Sequence, residues 1–317
     1  MALSLMRISG FSFVRNGLTL DYPVVEALRS ILPLVDELVV AVGAGSPEDR
    51  TREAIEGIGD PKIRILDTVW DEKHFRKGAV NAVQTDIARL ACAGDWLFYL
   101  QADEVVHERW LEPIERRCRD LLDRRDVEGL LFRYRHFWGD YDHCMANHAW
   151  YPYEIRMIRN LPQIRSWHSA QSFRWYDRYE HPWQESGTRK LRVAKVDAEI
   201  HHYGWVRSPR RMQVKNKALN VVHAGREAAE ARYATLPEEF DYGDLSRVPR
   251  YDGTHPAVMR ERIAAATWTA APPRPRDPRR PRPKHEKLKY RVLSFLEKRF
   301  FGGEPVFGGR NYRVIAA

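Results

Sequence analysis

Apolar positions along the chain alternate between two periods. Residues 3–14, 37–42, 62–69 and 96–100 are apolar runs bounded by small or polar residues, and each reads as a strand. Between them, residues 24–32, 49–57 and 78–91 carry apolar side chains at helical spacing. A β-α-β-α order of this kind predicts a largely parallel sheet with helices on both faces, because parallel neighbours need a crossover connection. Farther along, WLEPIERRCRDLLDRR predicts a helix, and residues 127–138, 154–158 and 191–201 predict further strands. Another helix is expected from Ser208, a good N-cap followed by Pro209 at the first helical position, to about Arg232. No internal repeat is present.

In an open parallel sheet the ligand sits beyond the carboxyl ends of the strands. The segments to inspect are therefore VRNG at 14–17, VGAGSPEDRT at 42–51, residues 70–77, and QADE at 101–104. The last is unusual, since the buried-looking strand WLFYL runs straight into two adjacent carboxylates, Asp103 and Glu104. Gly43 and Gly45 lack the third glycine of a dinucleotide fingerprint, and no GxxxxGK[ST] phosphate loop occurs.

With 317 residues, 44% of them hydrophobic, the chain can bury a sizeable core in one large or two modest domains. No apolar run approaches the roughly 18 residues of a membrane-spanning helix, and MALSLMRISGFSFVRN lacks the pattern of a secretory leader. A cytoplasmic location is the expectation. Cys92, Cys118 and Cys144 form no CxxC pair, which points away from a disulfide framework or a thiolate metal site.

The net charge of +9 is concentrated in one place. Between Pro272 and Arg299 eleven Lys or Arg face three acidic residues, so eight of the nine excess charges lie there. This divides the chain into residues 1–235 and a C-terminal extension, 236–317, with a Pro/Arg-rich linker (270–284) and a basic amphipathic helix (285–301). The linker composition cannot pack a core. In the helix, Leu288, Val292, Leu293, Phe295, Leu296 and Phe300 stand among basic residues, which suits a helix lying on an anionic membrane surface. A helix docked on the protein's own core with a solvated basic face accounts for the same pattern.

Several segments, taken in order, resemble the inverting family 2 glycosyltransferases of GT-A fold. VRNG is similar to the end of that family's first strand, and VGAGSPEDRT resembles its D-x-G-S-x-D-x-T loop with one extra residue. GDWLFYLQADE is similar to its strand ending in D-x-D, EIRMIRN to its RLFRN element, and IHHYGWVRS to its HYGW-R-S segment. The resemblance covers about residues 1–220 and implies a GT-A-like (Rossmann-like) α/β fold. It also implies transfer of a sugar from a nucleotide-diphosphate donor to an acceptor hydroxyl, with Mn²⁺ or Mg²⁺ on the diphosphate. The acceptor would be a glycan, a lipid-linked species or a protein, in cell-surface polysaccharide or lipopolysaccharide assembly or protein glycosylation.

Carried over residue by residue, Asp103 takes the place of the second carboxylate of D-x-D and becomes the metal ligand, with His202 of HHYGW as a second. Gln101 stands where the first Asp is expected. An amide adds no negative charge, so weaker metal affinity follows. His201 and His202 point in opposite directions on a strand, so only one faces the site. Glu104 is assigned a supporting or helix-capping role. Read without the resemblance, Asp103 and Glu104 are acidic residues opening the helix after His107, favoured by its dipole. Arg15, Asn16, Gly43 and Asp49 fall in loops that would cradle base and ribose, and Lys77 and Asn81 where the diphosphate would lie. An inverting transfer needs a carboxylate base. Glu185 in HPWQESG, beside Trp183 as a sugar-stacking platform, is the first choice, with Glu154 and Asp177 as rivals. Two readings of other classes stand beside this one. The first is a catalytically inactive glycan-binding scaffold, motivated by Gln101. The second is a nucleic-acid-binding protein using the basic tail, which leaves the QADE strand end unexplained.

Overall fold

The computed structural model describes residues 6–145, 147–268, 284–302 and 310–317. Its chain order begins β1 (Ile8–Val14), α1 (Val24–Ile31), β2 (Glu37–Gly43), α2 (Thr51–Glu56), β3 (Ile63–Thr68), α3 (Ala79–Leu90) and β4 (Trp96–Tyr99). A short β5 (Glu104–Val106) and α4 (Leu111–Asp120) lead to β6 (Gly129–Gly139), β7 (Cys144–Met145), β8 (Tyr153–Arg159), β9 (Ile164–Trp167), β10 (Ser172–Tyr176) and the long β11 (Thr188–Val206). Helices α5 (Pro209–Ala224), α6 (Arg226–Tyr233), α7 (Arg260–Ala264) and α8 (Leu288–Phe300) follow, and β12 (Tyr312–Val314) closes the order.

The main sheet runs β3-β2-β1-β4-β8-β6-β11-β10-β9. Strands β1 to β4 are mutually parallel, β8 is antiparallel to both β4 and β6, and β11 is parallel to β6. This mixed, mostly parallel sheet with flanking helices is the α/β architecture that the β-α alternation predicts, and it is GT-A-like, as the resemblance implies. The strand sequences explain why the order holds. Leu38, Val40 and Val42 of β2 enter one core layer and Val39 and Ala41 the other, and β4 divides the same way, Trp96 and Phe98 against Leu97 and Tyr99. Strands covered on both faces read as continuous apolar runs, which is why they are visible in the sequence. Against the first layer α1 presents Val24, Ala27, Leu28 and Ile31, a stripe at helical spacing.

Two predicted elements differ in form. The helix expected over 208–232 is broken at Gly225 (φ +92°) into α5 and α6, and Ser208 makes no side-chain capping bond. The carboxylates of QADE do not open a helix. Gln101 to Asp103 form a turn closed by Glu104 N–H donating to the Gln101 carbonyl at 3.0 Å, and Glu104 itself begins β5.

Residues 240–268 pack back across the sheet. Trp138 Nε1 donates to the Tyr242 carbonyl (2.9 Å), Tyr203 Oη meets His255 Nδ1 (2.7 Å), and Arg262 pairs with Asp21 and Glu26 at 2.8 Å each. All but the last residue of the Pro/Arg-rich linker lies outside the described residues. Helix α8 does dock on the protein, but through its polar face. His148 N–H donates to Ser294 Oγ and His148 Nδ1 meets Glu297 Oε1, both at 2.8 Å.

Candidate functional site

Strand register assembles the centre. Strand β5 pairs antiparallel with β11, setting Glu104 opposite His202 and Val105 opposite His201. Asp103, one residue upstream, then has its carbonyl accept from Tyr203 N–H at 2.8 Å. Strands β6 and β11 are in register through His136 and His202, and the register shifts before Trp205. The irregularity carries Gly204 past the two polar side chains. Asp103 Oδ2 and His202 Nε2 lie 3.7 Å apart, each side chain about nine-tenths buried. His201 faces the other way, fully buried, with Nε2 on Tyr251 Oη at 3.0 Å.

A hydrogen-bond chain orients His202. His136 Nε2 lies 2.8 Å from the Tyr151 carbonyl, which can only accept, so that nitrogen carries the proton. Burial, and then His202, hold the His136 ring well below the ordinary histidine range, so it is neutral and its Nδ1 is bare. The 2.9 Å contact between the two Nδ1 atoms therefore runs from His202 N–H to His136. His202 Nε2 is left facing the Asp103 carboxylate. Two electron-rich atoms across such a gap call for a proton or a cation between them.

Positive charge is concentrated behind the carboxylate. The Lys215 ammonium and Arg207 Nη1 both donate to the Gly204 carbonyl, at 2.9 and 2.8 Å. Arg207 Nε donates to the Leu20 carbonyl at 2.8 Å, its guanidinium lies over the Tyr22 ring, and its buried Nη2 finds no acceptor among the described residues. Burial would raise the Asp103 pKa, but the positive charge of His202 when Nε2 carries that proton, then that of Lys215 and Arg207, outweighs burial and holds the carboxylate far below its ordinary range. Burial, then Arg207, brings Lys215 down to about 7 against the opposing pull of Asp103.

Glycine at 204 is required for this arrangement. A Cβ there would stand 2.5 Å from His202 Nε2 and 2.7 Å from Asp103 Oδ2. No group of three or more His, Cys, Asp or Glu side chains suited to a metal is present among the described residues. Asp103 and His202 alone nevertheless fit Mn²⁺ or Mg²⁺, which complete their shells with phosphate oxygens and water rather than an all-protein cage.

Glu104 is a buried ion-pair partner rather than a helix cap. Fully buried, it takes Arg156 Nε and Nη2 at 2.8 Å each, Tyr134 Oη at 2.8 Å and Gln101 N–H at 3.1 Å. It locks the turn that presents Asp103, and the helix-capping alternative is corrected accordingly. Gln101 turns its amide onto Tyr99 Oη (3.2 Å) and the Ala170 carbonyl (3.1 Å). Ala170 and His168 both have positive φ, so this bond anchors a constrained loop.

Of the residues expected to meet a donor, Arg15, Asn16, Gly43 and Asp49 gather beyond the ends of β1 and β2, whereas Lys77 and Asn81 lie at the start of α3. Asn16 (φ +55°) accepts from Ser46 N–H at 2.7 Å, and Asp49 Oδ1 accepts from Thr19 and Thr51 hydroxyls at 3.0 and 2.8 Å. Both side chains tie one loop to the other. Arg15 Nε donates to the Ala44 carbonyl at 2.8 Å and stands beside Trp70. Gly43 leaves room for that indole, whose buried Nε1 has no partner among the described residues. Lys77 (φ +57°) is exposed with its ammonium 5.3 Å from the Trp183 ring, and Asn81 is half-buried in the first turn of α3.

The carboxylates weighed as base are placed differently from one another. Glu185 is exposed, 3.1 Å from Arg174 and 3.7 Å from His168 Nε2, and His168 is stacked between Trp167 and Trp183. Glu154 is sealed in the core, where it accepts from Ser172 Oγ at 2.6 Å and burial raises its pKa. Asp177 is exposed at the end of β10. Sequence reasoning passed over Arg207, Lys215, Gly204 and His136. Gly204 and Arg207 stand inside the HYGWVRS segment, but nothing local marks Lys215 or His136.

Fold and site together define a GT-A-like α/β protein with a His/carboxylate centre at the carboxyl end of its sheet. No protein-family profile and no curated protein matches the sequence. Among solved structures, S. aureus TarS 1-349 in complex with UDP-GlcNAc is similar at 12% identity and a TM-score of 0.40, over 72% of each chain. Glucosyl-3-phosphoglycerate synthase from Mycobacterium tuberculosis, in complex with Mn²⁺, UDP and phosphoglyceric acid, is similar at 18% identity and a TM-score of 0.28, over 42% of this chain and 44% of that one. The fold assignment rests on the sheet order, not on these likenesses.

Proposed function

We propose that the protein is a nucleotide-sugar glycosyltransferase of the inverting, family 2 type, transferring a sugar from a nucleoside diphosphate to an acceptor hydroxyl in cell-surface glycan or lipopolysaccharide assembly or protein glycosylation. The observation that carries the reading is the Asp103–His202 pair, aimed across a glycine-cleared gap and backed by Arg207 and Lys215. A leaving diphosphate needs its developing charge neutralised, and an oriented, largely dry cluster does this without reorganisation during the reaction. Asp103 and His202 would hold Mn²⁺ or Mg²⁺, which supplies Lewis-acid stabilisation of that diphosphate.

The remaining roles belong to the chain's own groups. Arg15, Asn16, Gly43, Asp49 and Trp70 shape the pocket for base and ribose, and Lys77, Asn81 and Gln101 border the diphosphate. The bond from acceptor oxygen to the anomeric carbon forms as the bond to the diphosphate oxygen breaks, and the acceptor proton passes to Glu185. Its exposed position beside the Trp167–His168–Trp183 stack suits a base reached by a sugar acceptor. Arg174 Nη1 donates to Glu185 Oε2 at 3.1 Å and holds the carboxylate in place.

A catalytically inactive, glycan-binding relative remains the second reading, favoured by one observation: Gln101, Asn16 and Asp49 spend their side chains on the protein itself. Thermal unfolding with UDP, GDP, CMP and dTDP, each with and without Mn²⁺, tests the first reading. A ligand at 100 times its dissociation constant adds about 2.7 kcal/mol. Stabilisation by one nucleotide, lost in Asp103→Ala, is expected. Binding without any donor turnover would select the inactive relative, and no response to any nucleotide would refute the donor site.

A further inference from the structure

Helix α8 is attached the wrong way round for a helix that only packs on its own protein. Its inward contacts are largely polar: Ser294 and Glu297 bond His148, Tyr290 lies against the His148 ring, Glu297 is only 4% exposed, and Leu293 is half-buried beside them. Its outward face is apolar. Leu288 is 70% exposed, Val292 47%, Phe295 65% and Phe300 64%. At 100° per residue, positions 288, 292, 295 and 299 fall within an arc of about 60°, so Leu288, Val292 and Phe295 form one stripe. Half of the ten large apolar side chains exposed among the described residues belong to this helix or to Phe301 just after it. Such a patch marks an interaction surface rather than scattered exposure.

Charge identifies the occupant. Lys289, Arg291, Lys298 and Arg299 are exposed beside the stripe, and Glu297, the one carboxylate of the helix, is turned inward onto His148. The outward surface of α8 is therefore apolar and cationic without an opposing acid of its own. A protein partner of mixed charge has no special fit to it. A bilayer with anionic headgroups does: the aromatic and aliphatic tips enter the headgroup boundary while the ammonium and guanidinium groups meet lipid phosphates. No helix among the described residues is long and apolar enough to cross a membrane, so α8 would lie on the surface.

We infer that α8 docks the protein peripherally on an anionic lipid surface through Leu288, Val292 and Phe295 with their flanking cations. The inference is independent of the transfer chemistry proposed above. The test is flotation of the full chain with vesicles of phosphatidylcholine alone and of phosphatidylcholine mixed with phosphatidylglycerol. The expected result is binding to the anionic vesicles only, weakened by salt. Val292→Asp/Phe295→Asp should bind at least tenfold more weakly at unchanged unfolding temperature, because both side chains are already in water. A Lys289, Arg291, Lys298 and Arg299 to Gln variant should lose the preference for anionic lipid. Equal binding of wild type and the double Asp variant would overturn the inference, as would no binding of the wild type. A wild-type dimer in light scattering that becomes monomeric in the Asp variant would also overturn it, showing that a second copy covers the stripe.

Discussion

Replacing Arg156 with Met isolates the contact on which the Asp103 turn depends. In the native chain Arg156 is 1% exposed and Glu104 is fully buried, and the pair makes two parallel bonds of 2.8 Å between the rings of Tyr99 and Tyr134. Methionine fills much of the arginine stem but leaves Glu104 with Tyr134 and Gln101 as its remaining donors. Removing one partner of a buried ion pair costs about 3–5 kcal/mol, because the other charge stays uncompensated. For a chain of this size that lowers the unfolding midpoint by roughly 6–10 °C, at about 2 °C per kcal/mol. Urea unfolding of wild type, Arg156→Met, Glu104→Gln and the double variant measures it directly. The double variant should be more stable than Arg156→Met alone, since no unpaired charge is left, and Arg156→Lys should fall between wild type and Met. Nucleotide affinity should drop in step, because the bond from Gln101 N–H to Glu104 shapes the turn before Asp103. A loss below about 1 kcal/mol in Arg156→Met would refute the reasoning, showing that the pair contributes no more than an exposed one.

Gly204→Ala should cost about 1–3 kcal/mol from overpacking and at least tenfold in Mn²⁺-dependent nucleotide affinity, since its Cβ would enter the gap between Asp103 and His202; titration calorimetry with the fold checked by unfolding decides this. Lys215 is held at about 7 in the folded chain and has its ordinary higher value when unfolded, so the unfolded state binds more protons between roughly pH 7 and 10. Stability should therefore rise with pH across that window, and Lys215→Met, measured by urea unfolding at both ends, should remove the rise while weakening nucleotide binding without metal. His136→Ala should lower Mn²⁺ affinity of the nucleotide-loaded protein about 10–100-fold by releasing the His202 ring; an unchanged affinity would remove His202 from the metal site.

The sequence makes the sheet legible for a physical reason. Strands covered on both faces must be apolar throughout, so Leu38 to Val42 and Trp96 to Leu100 announce themselves, and the helices between them show their own period. The QADE corner stands out for the converse reason, since two carboxylates at the end of a buried strand need an explanation. The two carboxylates nevertheless behave differently. Asp103 faces the centre, whereas Glu104 serves Arg156, whose position 52 residues away leaves no local signal. Separation along the chain hides His136, 66 residues from His202, and Lys215 is hidden by its ordinary setting: a lysine in a helix and a histidine in a strand look unremarkable until the packing buries them beside Asp103 and His202. Gly225 is a milder case: the helix expected from Ser208 to about Arg232 breaks there, at φ +92°.

The three-residue ladder between β5 and β11 has a consequence for how the protein is made. Its partners, Glu104 and His202, are separated by about a hundred residues, and β11 must also thread beside β6 before His202 meets Asp103. Non-local strand pairing is slow because loop closure comes before any compensating contact. During synthesis the first four strands can collapse around their helices while the centre still lacks His202. If the proposed donor site is right, retention of nucleotide by the nascent chain would report completion of the fold rather than its onset, and a chain truncated before β11 would have a sheet but no Asp103–His202 pair.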